Sequence, residues 1–310
     1  MRIMSDSMAQ ASVRAADWEL PVWKAVAGFL CALVLAVIML TAGVWKITNP
    51  LDAASRMNQA LVPASLSLPA AVGFGIAECF CGVMLIVPRF RRWGAWLGSL
   101  LLVAFLIYIG IFYDRLVGDE CNCFPWIKRA VGPAFFYSDF AMLVLAVLAG
   151  IWARPSQNLK SAMMVLGAVA VFAAVSLGMA LTQTGGKMAP ETITVAGESY
   201  DLHRGRVLLY FFDPECTHCL FAAQEMKDYA WNDVKIIAVA VEREFLAASF
   251  MEAAGLQAPV SSDVGKLRAV YQFGDPPFAV ALENGRTLSE LRVFEGAEPK
   301  ATLTALGFVR

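Results

Sequence analysis

The sequence predicts a helical membrane bundle followed by a soluble α/β domain, and three observations carry that prediction. Five apolar runs of about 20 residues lie before residue 183, each long enough to cross a hydrocarbon core of roughly 30 Å. From about residue 186 onward, short apolar strands alternate with helical patterns. Within that stretch "DPECTHCL", residues 213–220, places a Cys-x-x-Cys pair directly after the buried run "VLLYFF".

The bulk composition agrees. Of 310 residues, 58% are hydrophobic and 16% charged, and a mean hydropathy of +0.59 exceeds that of an ordinary soluble domain. A net charge of −1 gives no support to a nucleic-acid partner. The seven cysteines are Cys31, Cys79, Cys81, Cys121, Cys123, Cys216 and Cys219, so six form three close pairs. His203 and His218 are the two histidines, which excludes a His-rich metal centre.

The apolar runs cover about 24–47, 68–88, 93–113, 134–153 and 161–182. Acidic residues precede the first, and it is too long for a signal-peptide core, so it is expected to remain as an anchor. Orientation follows the basic loops. "RFRR" (Arg89, Arg91, Arg92) and the Arg154–Lys160 loop, two spans apart, are placed in the cytoplasm. The loop 114–133 and the C-terminal region then lie outside a cytoplasmic (inner) membrane. The expected organisation is a cytoplasmic segment 1–22, a four-helix membrane domain 23–155, a fifth transmembrane helix 160–183, a linker 184–190 and an extracytoplasmic domain 191–310. Cys121 and Cys123 fall on the same side as Cys216 and Cys219, in a space where disulfides persist.

In the last region "ETITVAGESYDL" reads as a hairpin, "RVLLYFF" and "VKIIAVAV" as buried strands, and "EREFLAASFMEAAG" as a helix. A helix is expected from about Cys216 through "EMKDYA", another over about 263–271, and a last one in "EPKATLTALGF". "FAVAL", the turn "ENG" and "ELRVFEG" read as an antiparallel hairpin. With "CTHC" after a buried strand and "DPPFAV" opening the later hairpin, this region resembles the thioredoxin superfamily. The resemblance implies a cis-proline packed against the dithiol, with Pro277 the better match and Pro276 the alternative.

A cysteine at a helix N-terminus is favoured as thiolate by unpaired N–H groups and the helix dipole. Cys216 is therefore the expected nucleophile and Cys219 the resolving thiol, with His218 stabilising the thiolate when protonated. An x-His dipeptide inside the pair resembles that of strongly oxidising family members. The buried acid that many thioredoxins carry six residues before the first cysteine is replaced by Tyr210; Asp213 and Glu215 are nearby. The competing use of Cys-x-x-Cys, half a zinc site, would need two more ligands, and His203 is the one spare imidazole.

The membrane half resembles the MauE and DoxX-like family of four-helix membrane proteins over roughly 25–153. The matching stretches, in order, are "AGVWKITNP", "GIAECFCGVMLI", "CNCF" and "SDFAML". Pro125 after Phe124 and Ser138 before Asp139 depart from the family pattern without touching the thiols. A disulfide between Cys121 and Cys123 would close a strained ring, suited to a relay rather than a staple; the alternative is two thiols that are buried separately or pair elsewhere. Cys79 and Cys81 point to nearly opposite faces of a helix and read as packing residues or as an intramembrane relay; Cys31 reads as packing. Glu78, an ionisable group within a span, is a candidate proton relay, quinone contact or partner of Lys46. Asp139 lies near the outer end of the fourth run.

The combined expectation is a membrane thiol–disulfide oxidoreductase. Electrons pass between the loop Cys-x-Cys and the tethered Cys-x-x-Cys, serving disulfide formation or reduction in secreted proteins. Its partners are the lipid bilayer and extracytoplasmic protein thiols and disulfides. No metal and no required cofactor is implied, and a quinone is the candidate co-reactant. The alternative is a non-catalytic assembly factor that uses a thioredoxin-fold binding module.

Overall fold

The computed structural model describes residues 20–118, 130–154, 160–182 and 186–310. Among the described residues, five helices are long and apolar enough to cross a membrane, which makes the chain an integral membrane protein. They are α1 (Val22–Thr48), α3 (Ala64–Ile86), α4 (Arg91–Ile111), α6 (Pro133–Ile151) and α7 (Lys160–Thr182). Two shorter helices lie between them, α2 (Pro50–Gln59) and α5 (Tyr113–Leu116). Proline starts α2 and α6, where its missing N–H costs nothing.

The chain divides into two compact units. The first holds α1 to Trp45, α3 from Phe74, α4, α6 and the first part of α7. Its core is built from small and branched residues, among them Ala32, Leu35, Ala36, Cys81, Leu85, Ala95, Ala146 and Ala149. In lipid, helix association relies on such close packing because burial from water contributes nothing. A Cβ on Gly43 would lie 2.7 Å from the Cys79 backbone nitrogen, so glycine sets the approach of α1 to α3. Only 11% of the α7 span window is buried, against 28–39% for the other four, as expected of a tether that presents most of its surface to lipid.

The second unit includes residues 46–73 and 174–310. Its seven-stranded sheet has the order β2-β1-β5-β4-β3-β6-β7. The strands are β1 (Thr192–Val195), β2 (Glu198–Asp201), β3 (Arg206–Phe212), β4 (Val234–Ala240), β5 (Val260–Ser261), β6 (Phe278–Glu283) and β7 (Arg286–Leu291). β3, β4 and β5 run parallel, and β6 and β7 extend the sheet antiparallel. The helices are α8 (Thr217–Met226), α9 (Ala247–Ala254), α10 (Val264–Val270) and α11 (Lys300–Ala305). Along β3, Leu208, Tyr210 and Phe212 pack on one side with α8, α9 and α11. Val207, Leu209 and Phe211 pack on the other with Leu267 and Tyr271. Burial on both faces explains why β3 reads as a continuous apolar run rather than an alternation. A strand leading into the Cys-x-x-Cys helix, a parallel neighbour, then an antiparallel hairpin and a closing helix make this the thioredoxin-like fold.

Three expected boundaries change: α8 stops at Met226 rather than running through Ala230, α9 begins at Ala247 rather than at Glu242, and the second hairpin strand shifts. The strand read into "ELRVFEG" begins earlier, at Arg286, and ends at Leu291. Asn284 (φ 50°) and Gly285 (φ 78°) both occupy left-handed backbone, the two-residue turn that reverses a hairpin most tightly. Glu283 therefore pairs with Arg286 directly, and Arg292 to Glu295 are released from the strand. The two-residue β5 and the helix α2 were not expected from the sequence.

Candidate redox site

β3 delivers the chain into "DPE" and then α8. Asp213 is buried and accepts from the Glu215 backbone N–H at 3.1 Å. It also takes two hydrogen bonds from Arg243 Nη2, at 2.8 and 2.7 Å, while Arg243 Nη1 meets Glu215 at 3.1 Å. One guanidinium from the loop after β4 thus holds the segment that presents Cys216. The Asp213 hydrogen bond in turn holds Arg243 above its ordinary pKa.

Cys216 is the N-cap of α8, and its Sγ accepts from the Cys219 backbone N–H at 3.1 Å. This is the placement in which helix N–H groups favour a thiolate. The two sulfurs lie close to disulfide distance, with Cα atoms 5.2 Å apart, inside the range a disulfide requires. Cys216 is half-buried and Cys219 fully buried. The peptide bond before Pro277 is cis, and the Pro276 carbonyl lies 3.8 Å from Cys216 Sγ.

Beneath the pair, Tyr210 takes the place of the familiar buried acid. Its hydroxyl donates to the Cys219 carbonyl at 2.6 Å, and complete burial holds the phenol far from ionisation. A different acid comes close instead. Glu295, just past β7, faces His218 across 3.7 Å between Oε1 and Nδ1. Burial pushes its carboxyl up to about 7. Nothing local in the sequence marks Glu295; it becomes visible once β7 ends at Leu291.

A raised carboxyl pKa means the folded chain holds that proton more tightly than the unfolded chain. The contribution of Glu295 to stability is therefore complete below about 4.5 and is lost as pH rises through about 7. Glu295→Gln is expected to flatten this part of the stability profile, read as unfolding midpoints of the detergent-solubilised chain between pH 5 and 8. A profile that keeps its slope would assign the titration elsewhere.

The other expected site residues separate. Cys121 and Cys123 lie outside the described residues. Cys79 and Cys81 are buried and face different helices: Cys79 meets α1 at Gly43, while the Cys81 thiol donates to the Gly94 carbonyl at 3.2 Å. Glu78 precedes them on α3, half-buried. His203 is committed elsewhere, with Nε2 2.9 Å from the Ala189 carbonyl and its ring against Gly285. Among the described residues no cluster of three metal-ligating groups occurs.

Comparison with known proteins matches residues 24–153, less than half of the chain, to the family of methylamine utilisation protein MauE. No curated protein matches. Similar solved structures include the thioredoxin domain of a thiol–disulfide oxidoreductase from Bacteroides vulgatus, at 18% identity and TM-score 0.32, covering 39% of this chain and 96% of that one. A secreted disulfide oxidoreductase of Mycobacterium tuberculosis, homologous to DsbE of E. coli, shows 20% identity and TM-score 0.33, over 37% and 94% of the two chains. Peroxiredoxin Q of Xanthomonas campestris shows 16% identity and TM-score 0.31, over 37% and 89%. The chain joins a membrane region that matches the MauE family to a domain of thioredoxin-like topology that carries the Cys216–Cys219 pair.

Proposed function

We propose that this protein is a membrane thiol–disulfide oxidoreductase that relays electrons between Cys216/Cys219 and the loop pair Cys121/Cys123. The observation that carries the reading is the half-buried Cys216 sulfur at the N-terminus of α8, beside a buried Cys219 and the cis-proline loop. In the oxidising direction a client thiolate attacks Cys216 Sγ, the Cys216–Cys219 bond breaks, and Cys219 leaves as thiolate. A second client thiolate then attacks the client sulfur of the mixed disulfide. The client leaves oxidised and the pair has gained two electrons. Cys216 next attacks one sulfur of a Cys121–Cys123 disulfide, Cys219 resolves that mixed disulfide, and the electrons pass to the loop. Run backwards, the same exchanges reduce clients.

His218 with Glu295 and the cis-proline loop at Pro277 support the nucleophile, and Glu78 is the candidate proton carrier within the span. The basic loops support an extracytoplasmic domain with a cytoplasmic N-terminus in the inner membrane. The packing of residues 46–73 with 174–310 supports the same count, because the loop after α1 and the domain must then share a side.

Trapping thiols by alkylation in intact cells, with and without quinone depletion, tests the relay. If quinone accepts the electrons, depletion accumulates reduced Cys216 and Cys219. If the chain reduces clients from cytoplasmic thiols, inhibiting those thiols accumulates the oxidised pair. No response of either pair to either treatment would contradict the relay.

A further inference from the structure

Helix α2 follows the first span in sequence yet packs within the same compact unit as the sheet domain. Its contacts converge on one place. Asp52 pairs with Arg292 Nη1, Arg56 Nη2 lies 2.6 Å from Asp275, and Ser55 Oγ donates to the Arg292 carbonyl at 2.5 Å. Asp275 is one residue before Pro276, whose carbonyl faces Cys216 Sγ. The crevice lined by Arg56, Asp275, Pro277 and Phe278 holds only about 10 Å³, no more than a water's worth of free space. A polypeptide therefore has no room between α2 and this flank of the loop. The pairs are partly shielded: the Arg56 and Arg292 side chains are 11% and 14% exposed, and their partners Asp275 and Asp52 31% and 19%.

Resting on the redox reading above, we propose that α2 is a latch. Asp52 and Arg56 hold it over the cis-proline loop, and a protein client must displace it to lie beside Cys216, whereas a small thiol reaches the sulfur without doing so. The latch slows protein clients relative to small-molecule thiols, and among proteins it admits those flexible enough to compete with α2 for the loop, such as an unfolded secreted chain.

The test uses the full chain in lipid nanodiscs, with Cys216–Cys219 oxidised. Its reduction is timed with reduced, unfolded ribonuclease and separately with glutathione. Arg56→Glu is expected to speed the protein reaction by about fivefold, the effect of removing a pair of modest strength, with glutathione unchanged. The swap Arg56→Glu/Asp275→Arg is expected to restore the slow rate. Independently of any variant, raising salt should speed the protein reaction of the native chain alone. An unchanged protein rate in Arg56→Glu, or equal acceleration of both thiols, would overturn the latch. A pair inert to glutathione in every variant would instead overturn the redox reading, and the latch with it.

Discussion

Cys216→Ser is expected to reduce exchange with protein thiols by at least about a thousandfold, because it removes the attacking sulfur itself. The fold should survive, since Cys216 is half-buried and the serine hydroxyl can still accept the Cys219 N–H that the sulfur caps now. Cys219→Ser acts differently. It leaves the nucleophile but removes the resolving thiol, so exchange should stall at mixed disulfides with clients. The pair of variants separates an oxidoreductase from an assembly factor that merely binds through the same fold. For the latter, Cys216→Ser would keep full activity in a client-maturation assay.

Arg292→Ala is expected to be the most destabilising single change outside the sheet core. Its guanidinium pairs with Asp52 and, at 2.8 Å, with Glu290, which is 1% exposed and also meets Lys187 at 2.8 Å. It donates to the Gln272 carbonyl at 3.0 Å and lies 5.0 Å from the centre of the Phe278 ring. Truncation takes the guanidinium from both carboxylates, leaving Glu290 with Lys187 and Asp52 with the charge of Arg56. Removing one member of such a buried network typically costs about 3–5 kcal/mol, more than the intact network contributes relative to apolar packing. The unfolding midpoint of the second unit, followed by protease resistance of the sheet, should fall accordingly. Arg292→Lys should recover only part of it, because an ammonium cannot reach both carboxylates and the Gln272 carbonyl in the planar fork that arginine offers. A loss below about 1 kcal/mol, the scale of a surface ion pair, would show that solvent screens the network.

The parts of this molecule that were legible in the sequence are those written in local pattern. Five apolar runs became α1, α3, α4, α6 and α7, since hydrocarbon thickness imposes a length that no other constraint overrides. "RVLLYFF" became β3 because burial on two faces demands a continuous apolar run. "CTHC" reached a helix N-terminus because it follows that strand. The features that escaped are made by partners far apart in the chain. Arg292 and Asp52 are separated by 240 positions, and neither is unusual where it stands. Helix α2 is ten residues long and polar between two spans, so it carries no membrane signal, although Pro50 at its start was a usable cue. Glu295 lies within "ELRVFEG", whose pattern suits a strand, whereas the Asn284–Gly285 turn starts β7 at Arg286 and frees Glu295 to face His218. In the sequence Tyr210 marks only the absence of an acid. Its role in holding the Cys219 carbonyl needed the 2.6 Å contact to be seen.

The central claim is that the Cys216 pair and the loop pair exchange electrons within one chain. The most direct measurement is to purify Cys219→Ser under acid trapping and map its disulfides by mass spectrometry. A Cys216–Cys121 or Cys216–Cys123 bond, lost in Cys121→Ser/Cys123→Ser, is the predicted result. A Cys216 found solely with external thiols, and unaltered by removal of both loop cysteines, would contradict the relay.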